Sequence, residues 1–568
     1  MRRRRAAETG FSPANPRGGD TSVVLVYPNT YHVGMSNLGF LTVYRLLNEL
    51  DGVVCERAFL PDAARGETGV PHSVESGRPI AVFDVVAFSI AFENDFLNLL
   101  RILEKAHLPL HSNRRSDRHP LVMAGGVACF INPETIAPFI DVFLLGEAEA
   151  ILPLFFDRIR ENVDRFTALA DAARELDGIY VPRFYQDLYH ADGSFKALEP
   201  MVDAPLPVKR AYVKSMDATA ACSSVLTDDT TFGRTFLLEL SRGCPHGCRF
   251  CSAGFVYRPL RFPPAEALQD GLDRGLALTN RIGILGMAVT ASPAMDPVCR
   301  RALDRGGALS FSSLRADELT PSCIALLRRS GVKTVTIAPD AGSERMRRII
   351  NKGLTRETIL AAVERTAAAG IPNLKLYFML GLPFETPPDV EAVVALCRQI
   401  KHRLLKIGRR RRRLGTITVS LNAFVPKPHT PFQWAPMEEV RELKHKIKFV
   451  KKALARVPNI RVHADIPHWA AVQGLLTRGD RRVSGLLEKA HTLDGNWPRT
   501  FKESALNPHF YLHRTRPLTE ALPWDFIDHG IRKSFLKSEY RKARRAEETP
   551  ACRFDGCTVC GVCKPAVP

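Results

Sequence analysis

The 568-residue sequence predicts an α/β protein with a doubly wound parallel sheet at its amino end, a partial (β/α)6 barrel after it, and a helical, Cys-rich C-terminal region. Short apolar runs alternate with stretches of helical spacing, the pattern of parallel strands joined by crossover helices. The alternation occurs twice, and a mixed, uninformative stretch separates the two series. Of the 13 cysteines, seven fall in two tight groups, one just after the first strand of the second series and one in the last 18 residues.

In order along the chain, residues 1–20 read as a mobile basic tail that includes Arg2 to Arg5. Residues 21–160 form the first α/β unit. Its predicted strands are Val23 to Tyr27, Phe83 to Ile90, Leu121 to Ala124 and Asp141 to Leu145, with helices at Leu38 to Leu50 and Asp95 to Ala106. Ligands of such sheets sit beyond the strands' carboxyl ends, where Pro28 to Gly39, Ser89 to Asp95, Gly125-Gly126 and Gly146-Glu147 fall. Residues 161–230 read as a connector with short strands at Ile179 to Val181 and Tyr212-Val213. In the unit spanning 231–440, strands are expected at Phe236 to Leu240, Arg281 to Leu285, Leu309 to Ser312, Thr334 to Ala338, Leu374 to Leu380 and Thr416 to Leu421. Cys244, Asp340 and Glu385 each follow one of these strands, on the side where parallel barrels place their chemistry. Residues 441–546 are helical and basic, and 547–568 form a Cys-rich metal-binding tail.

Hydrophobic residues make up 45 % and charged residues 24 %, a globular balance that argues against long disorder. The net charge of +19 favours polyanions such as RNA, although solvated Lys and Arg explain it equally well. No apolar run follows Arg2 to Arg5, and no stretch of about 18 apolar residues occurs, so neither a signal peptide nor a membrane span is expected and the cytoplasm is the default compartment. Clustered cysteines in a large chain of this kind read as metal ligands. Cys55, Cys129, Cys222, Cys299, Cys323 and Cys397 stand alone and read as small buried residues.

The first cysteine group is Ser241-Arg-Gly-Cys244-Pro-His-Gly-Cys248-Arg-Phe-Cys251, spaced C-x3-C-x2-C. Three thiolates from one loop can hold three irons of a [4Fe–4S] cubane and leave the fourth open. This pattern resembles the radical S-adenosylmethionine superfamily. The resemblance implies that S-adenosylmethionine chelates the open iron and is cleaved reductively, which calls for an electron donor such as flavodoxin or ferredoxin. It places Phe250, Gly286, Ser313, Arg315, Asp340 and Met379 at cofactor-binding positions. The segment Pro339 to Lys352 is similar to the Elongator- and methylthiotransferase-like branch, with Asp340 where that branch usually has Glu. Leu285-Gly286-Met287 stands where it has a Gly-Gly-Glu-like turn.

Ser89-Ile-Ala and Gly125-Gly126 resemble a cobalamin-binding domain. The loop after the first strand, Asn29-Thr-Tyr-His32-Val-Gly34, does not match the spacing of that family's histidine loop, so His32 is not assigned to cobalt. Cobalamin bound without a protein histidine and a domain that has lost cobalamin both remain open. From residue 21 to 563 the chain resembles an uncharacterised bacterial group with this domain pairing. The resemblance rests on Tyr27-Pro-Asn-Thr-Tyr31 to Gly39-Phe-Leu-Thr-Val-Tyr44, Asn132-Pro-Glu134, Gly146-Glu-Ala-Glu149, Phe424 to Phe432, Arg478 to Arg482, Leu522 to Ile527 and the final cysteines. Cys552, Cys557, Cys560 and Cys563 offer four thiolates for a second Fe–S cluster or for Zn. Arg409 to Arg413, near the barrel mouth or its rim, could anchor RNA phosphates or form a solvated loop.

The reading is an enzyme that cleaves S-adenosylmethionine and modifies an unreactive carbon. The substrate is open among an RNA nucleoside, a small molecule and a peptide, and methyl transfer through cobalamin is one version. Thiolation fits less well, because the amino-terminal unit lacks the cysteine triplet of methylthiotransferases. The alternative is an RNA-binding iron–sulfur protein without radical turnover. Assistance in maturing a partner is a third possibility with no positive sign. No catalytic residue is assigned. Glu385 and Tyr377 lie near the rim without a role.

Overall fold

The computed structural model describes residues 2–10, 21–161, 164–216, 220–411, 414–553 and 557–563. Val23 to Val26 are at most 2 % exposed, and such a continuous apolar run suits a strand covered on both faces. It forms β1 (Thr21–Tyr27), inside a six-stranded sheet with β2 (Val53–Phe59), β3 (Val85–Ser89), β4 (Leu121–Gly125), β5 (Val142–Leu144) and β6 (Ile179–Tyr180). The order is β2-β1-β3-β4-β5-β6, parallel through β5, with β6 antiparallel at the edge. Strand order reverses between β1 and β3, which makes that crevice the ligand position of a doubly wound sheet. The crossing helix Leu38–Glu49 buries Phe40, Leu41, Tyr44 and Leu47, and the Asn37 side chain caps it by accepting from the Phe40 amide at 2.9 Å.

β2 falls outside the predicted strands because Glu56 and Arg57 interrupt its apolar run. Arg57 is 2 % exposed and tolerable there only because Glu8 and Glu75 pair with it, each at 2.7 Å. Glu8 also accepts from the Tyr31 hydroxyl, Arg4 pairs with Glu67, and Thr9–Gly10 bonds to Val225–Leu226. Residues 2–10 are therefore docked, contrary to the expected mobile tail; residues 11–20 lie outside the described residues.

The second series holds seven strands: β7 (Phe236–Ser241), β8 (Arg281–Gly286), β9 (Ala308–Phe311), β10 (Thr334–Asp340), β11 (Asn373–Leu380), β12 (Ile417–Ala423) and β13 (Ile460–Ala464). They lie parallel in chain order as a three-stranded and a four-stranded sheet, joined by one parallel bridge from Leu314 to Ile337. β13 exceeds the six expected strands and lies in the region read as helical. The predicted strand at Tyr212-Val213 is replaced by a single bridge between Ala211 and Gly146.

The helix Pro387–Arg411 returns the chain to the amino ends of the strands, where the Gly415 backbone meets Pro372 and the Thr416 amide bonds Asn373 at 3.0 Å. Arg409 to Arg411 thus stand at the end opposite the cysteine loop, not at the mouth; Arg412 and Arg413 lie outside the described residues. Beyond β12, the helix Val440–Leu454 packs on the helix Pro387–Arg411, and the helices Pro467–Arg478 and Val483–Thr492 pack the C-terminal region against the first unit. Several of the sequence motifs meet at this seam. Asn132 donates to the Thr477 and Gly479 carbonyls at 3.1 and 2.8 Å, and Glu134 pairs with Arg481 at 3.1 Å. The six isolated cysteines are all buried.

Candidate metal centre

The cysteine loop begins where β7 ends. Gly243 has φ +87, and a Cβ there would lie 2.6 Å from the carbonyls of Tyr257 and Pro259, so the turn needs glycine. A Cys251 amide bond to the Cys248 carbonyl (3.0 Å) and a Gly254 amide bond to the Cys251 carbonyl (3.1 Å) lead into the short helix Ala253–Val256. All three thiols are free. Burial pushes Cys244 up to about 12 and Cys251 up to about 11. A metal must therefore displace their protons as it binds.

The structure brings Arg315 and Asp340 to this loop and adds Lys352, which the sequence did not point to. Lys352 donates to Asp340 at 2.6 Å. Burial alone would lower the Lys352 ammonium, but Asp340 and Cys248 hold it above its usual value. Arg315 spends one terminal nitrogen on Asp317 and on the Lys352 carbonyl (2.8 Å), and its other, Nη1, is buried without a hydrogen-bond partner among the described residues. His246, between the first two cysteines, meets Glu318 at 3.1 Å, and Thr290 also bonds Glu318. Burial opposes ionisation of Glu318, but those bonds hold its carboxyl below the usual value.

Phe250 and Met379 pack against one apolar cluster that includes Phe255, Ala341, Leu382 and Phe424. Gly286 closes β8 beside Ser241, whereas Ser313 is exposed. Glu385 is consumed by Lys446 (2.7 Å) and the Gly381 amide (3.1 Å), and the Tyr377 ring lies 4.9 Å from the Lys375 ammonium, so both have structural partners.

The tail cysteines lie against the same loop. The Cys552 amide donates to the Pro245 carbonyl at 2.8 Å. Asn351 bonds both the Gly247 carbonyl and residue Thr549. Arg249, fully buried, reaches Glu539 at 3.0 Å and the Glu547 carbonyl at 2.8 Å. Burial raises the Cys563 thiol, and Cys552, Cys560 and Cys557 reinforce it, so the four share one neighbourhood. These long-range partners carry no local sequence signal. Lys352 stands twelve residues past Asp340, its partner, with a helix between them.

Comparison with known proteins matches residues 39–182 to the model for the amino-terminal region of radical SAM proteins and residues 238–397 to the model for the radical SAM superfamily. The two models take in more than half of the chain and include the cysteine loop. The chain belongs to the radical S-adenosylmethionine superfamily. Membership implies a [4Fe–4S] cluster and S-adenosylmethionine, as well as a reductant, and members are typically enzymes.

Among similar proteins, an uncharacterized protein of Methanocaldococcus jannaschii is 29 % identical over 82 % of this chain and 90 % of its own length. An uncharacterized methyltransferase of Pyrococcus horikoshii is 24 % identical over 60 % of this chain and 72 % of its own length. The tRNA-2-methylthio-N(6)-dimethylallyladenosine synthase of Chloroherpeton thalassium is 23 % identical over 38 % of this chain and half of its own length. Among the described residues, no helix is long and apolar enough to cross a membrane.

Proposed function

We propose that this chain cleaves S-adenosylmethionine reductively at a [4Fe–4S] cluster held by Cys244, Cys248 and Cys251, and modifies an unreactive carbon of its substrate. The observation that carries this reading is the buried, unpaired Arg315 Nη1 beside a three-cysteine loop at the carboxyl end of a parallel strand. A buried donor without a partner costs roughly 1–3 kcal/mol, which a ligand carboxylate at this place would recover. When bound, the cluster supplies an electron to the sulfonium and gives a 5′-deoxyadenosyl radical that takes a hydrogen atom from carbon. The chain leaves one iron without a protein ligand, offers Arg315 to the carboxylate of S-adenosylmethionine, and packs Phe250 and Met379 where the adenine would lie. The seven strands are read as a partial barrel around this site.

Cys552, Cys557, Cys560 and Cys563 are read as ligands of a second iron–sulfur cluster that extends the electron path to the first. Among the described residues, no three of these thiols lie within 4.8 Å of one another. Four cysteine thiolates suit an iron–sulfur cluster or tetrahedral zinc alike.

Cobalamin is not assigned to the first unit. Gly125 and Gly126 line the crevice where the strand order reverses, and a Cβ on Gly126 would lie 2.5 Å from the Ile90 carbonyl, so this glycine also serves packing of the chain on itself. His32 is engaged by Asp229 at 3.0 Å and does not line the crevice. An RNA substrate draws on the net charge and on the tRNA-modifying relative, but Arg409 to Arg411 stand at the opposite end from the cysteines.

The test is 5′-deoxyadenosine formation by anaerobically reconstituted, reduced protein, beside a Cys244→Ala/Cys248→Ala/Cys251→Ala control. Product from the intact chain alone supports the reading. A loaded, reducible cluster that never yields product would favour an iron–sulfur protein without turnover.

A further inference from the structure

Between the two parallel-sheet units lies a cavity of about 470 Å³. It occupies the crevice where the strand order reverses, and its floor is formed by Leu25, Ala87, Phe88 and Met123 from the ends of β1, β3 and β4. Val43 and Leu47 wall it on one side and Leu152 on another. Its far end reaches Leu285, Gly286 and Met287, the turn that closes β8 at the candidate cofactor site. The volume suits a drug-sized molecule, for which cavities run from about 300 to 1,000 Å³.

The polar groups at that end specify the ligand's charge. Arg242 is the cation of the lining, and it is already consumed: Glu147, Glu149 and Glu239 accept from it at 3.1, 2.8 and 2.7 Å. Glu147 is in turn held by Arg261 at 2.6 Å. Three carboxylates against two guanidiniums leave no free positive charge for a phosphate. Glu149 and Tyr257 keep hydrogen-bonding capacity at that end. Glu149 accepts one bond from Arg242 and is a quarter exposed. Tyr257, six residues past Cys251, lines the cavity, and no side-chain hydrogen bond of its hydroxyl occurs among the described residues.

We propose that this cavity is the substrate site, and that it takes a small, largely apolar molecule, neutral or cationic, with one hydrogen-bonding head placed on Tyr257 and Glu149. The assignment rests on the radical S-adenosylmethionine reading for its reaction, and on the cavity alone for its ligand class. The deficit of free cations and the Leu, Val, Phe and Met walls disfavour a nucleotide, an RNA phosphate and the phosphate-bearing tail of a corrinoid relative to an apolar molecule.

The experiment uses full-length, anaerobically reconstituted protein and the neutral apolar dye Nile red. Saturable, blue-shifted binding of one dye per chain is expected, weakened at least tenfold by Val43→Trp and by Ala91→Phe, which fill the cavity from two different elements. The anionic dye 1-anilinonaphthalene-8-sulfonate should bind at least tenfold more weakly than Nile red, and neither hydroxocobalamin nor total tRNA should displace Nile red. Stoichiometric displacement by hydroxocobalamin or tRNA, preference for the anionic dye, or binding indifferent to both folded variants would overturn the proposal. The dye readout needs no turnover, so failure to form 5′-deoxyadenosine with dye binding intact counts against the radical reading alone.

Discussion

Arg315 brings one unpaired donor to the cysteine loop while its other groups are fixed on Asp317 and the Lys352 carbonyl. A lysine there would keep the charge but lose the fork that serves both tasks. Arg315→Lys is therefore expected to weaken S-adenosylmethionine binding about tenfold to a hundredfold. Equilibrium dialysis measures this, and the cluster's visible absorbance should be unchanged. The neighbouring Asp340 and Lys352 form a buried pair, and removing one partner of such a pair costs about 3–5 kcal/mol. Asp340→Asn should lower the urea midpoint of unfolding, and Asp340→Asn/Lys352→Met should recover most of the loss; equal losses in both variants would mean that the pair contributes no coupling. At this scale the sequence showed what is local. The three cysteines stand within eight residues, and family resemblance pointed to Arg315 and Asp340. Lys352, Glu318 and Arg249 were hidden, because each acquires its role from a partner on another element.

Two elements converge on the cysteine loop: the turn after the helix Glu344–Ile349 and the C-terminal tail. Asn351 joins them, donating to the Gly247 and Thr549 carbonyls at 3.1 Å each and accepting from the Thr549 amide at 2.8 Å. Asn351→Ala removes all three bonds without touching a cysteine. The reconstituted protein should lose visible cluster absorbance several-fold faster in air, while its circular dichroism in the far ultraviolet stays that of the parent. Unchanged bleaching would mean that the tail does not shield the first cluster. The elements that were legible are those with unbroken patterns, such as β1 and the helix Leu38–Glu49. β2 was lost to Glu56 and Arg57, whose burial is made possible by Glu8, some fifty residues earlier. β13, with Arg461 and His463 exposed on one face, alternates over only five residues in a basic stretch. The cysteine tail was readable as a metal site, but its place against Pro245 was not, since docking of remote segments leaves no periodicity.

The whole molecule is closed by contacts that its recognisable motifs make with one another across the seam. Two histidines sit at its centre, with rings 4.2 Å apart. His429 meets the Ile131 carbonyl at 3.1 Å and His529 the Phe130 carbonyl at 2.9 Å, so both tie later parts of the chain to the first unit. Burial drives His429 down to about 3, with Lys533 acting in the same direction; burial also lowers His529, as do His429 and Arg210. An imidazole that stays neutral in the fold to about pH 3, yet takes a proton near 6.5 in the unfolded chain, favours unfolding at every pH below about 6.5. Stability is thus unaffected by His429 above that pH and falls as acid is added toward pH 3. At pH 5 the loss from His429 is about 2 kcal/mol. The melting temperature should drop between pH 7.5 and 5. In His429→Gln, which cannot take up a proton, the drop should be visibly smaller even if the variant starts lower. Parallel pH profiles for the two proteins would place the acid sensitivity elsewhere than in this seam.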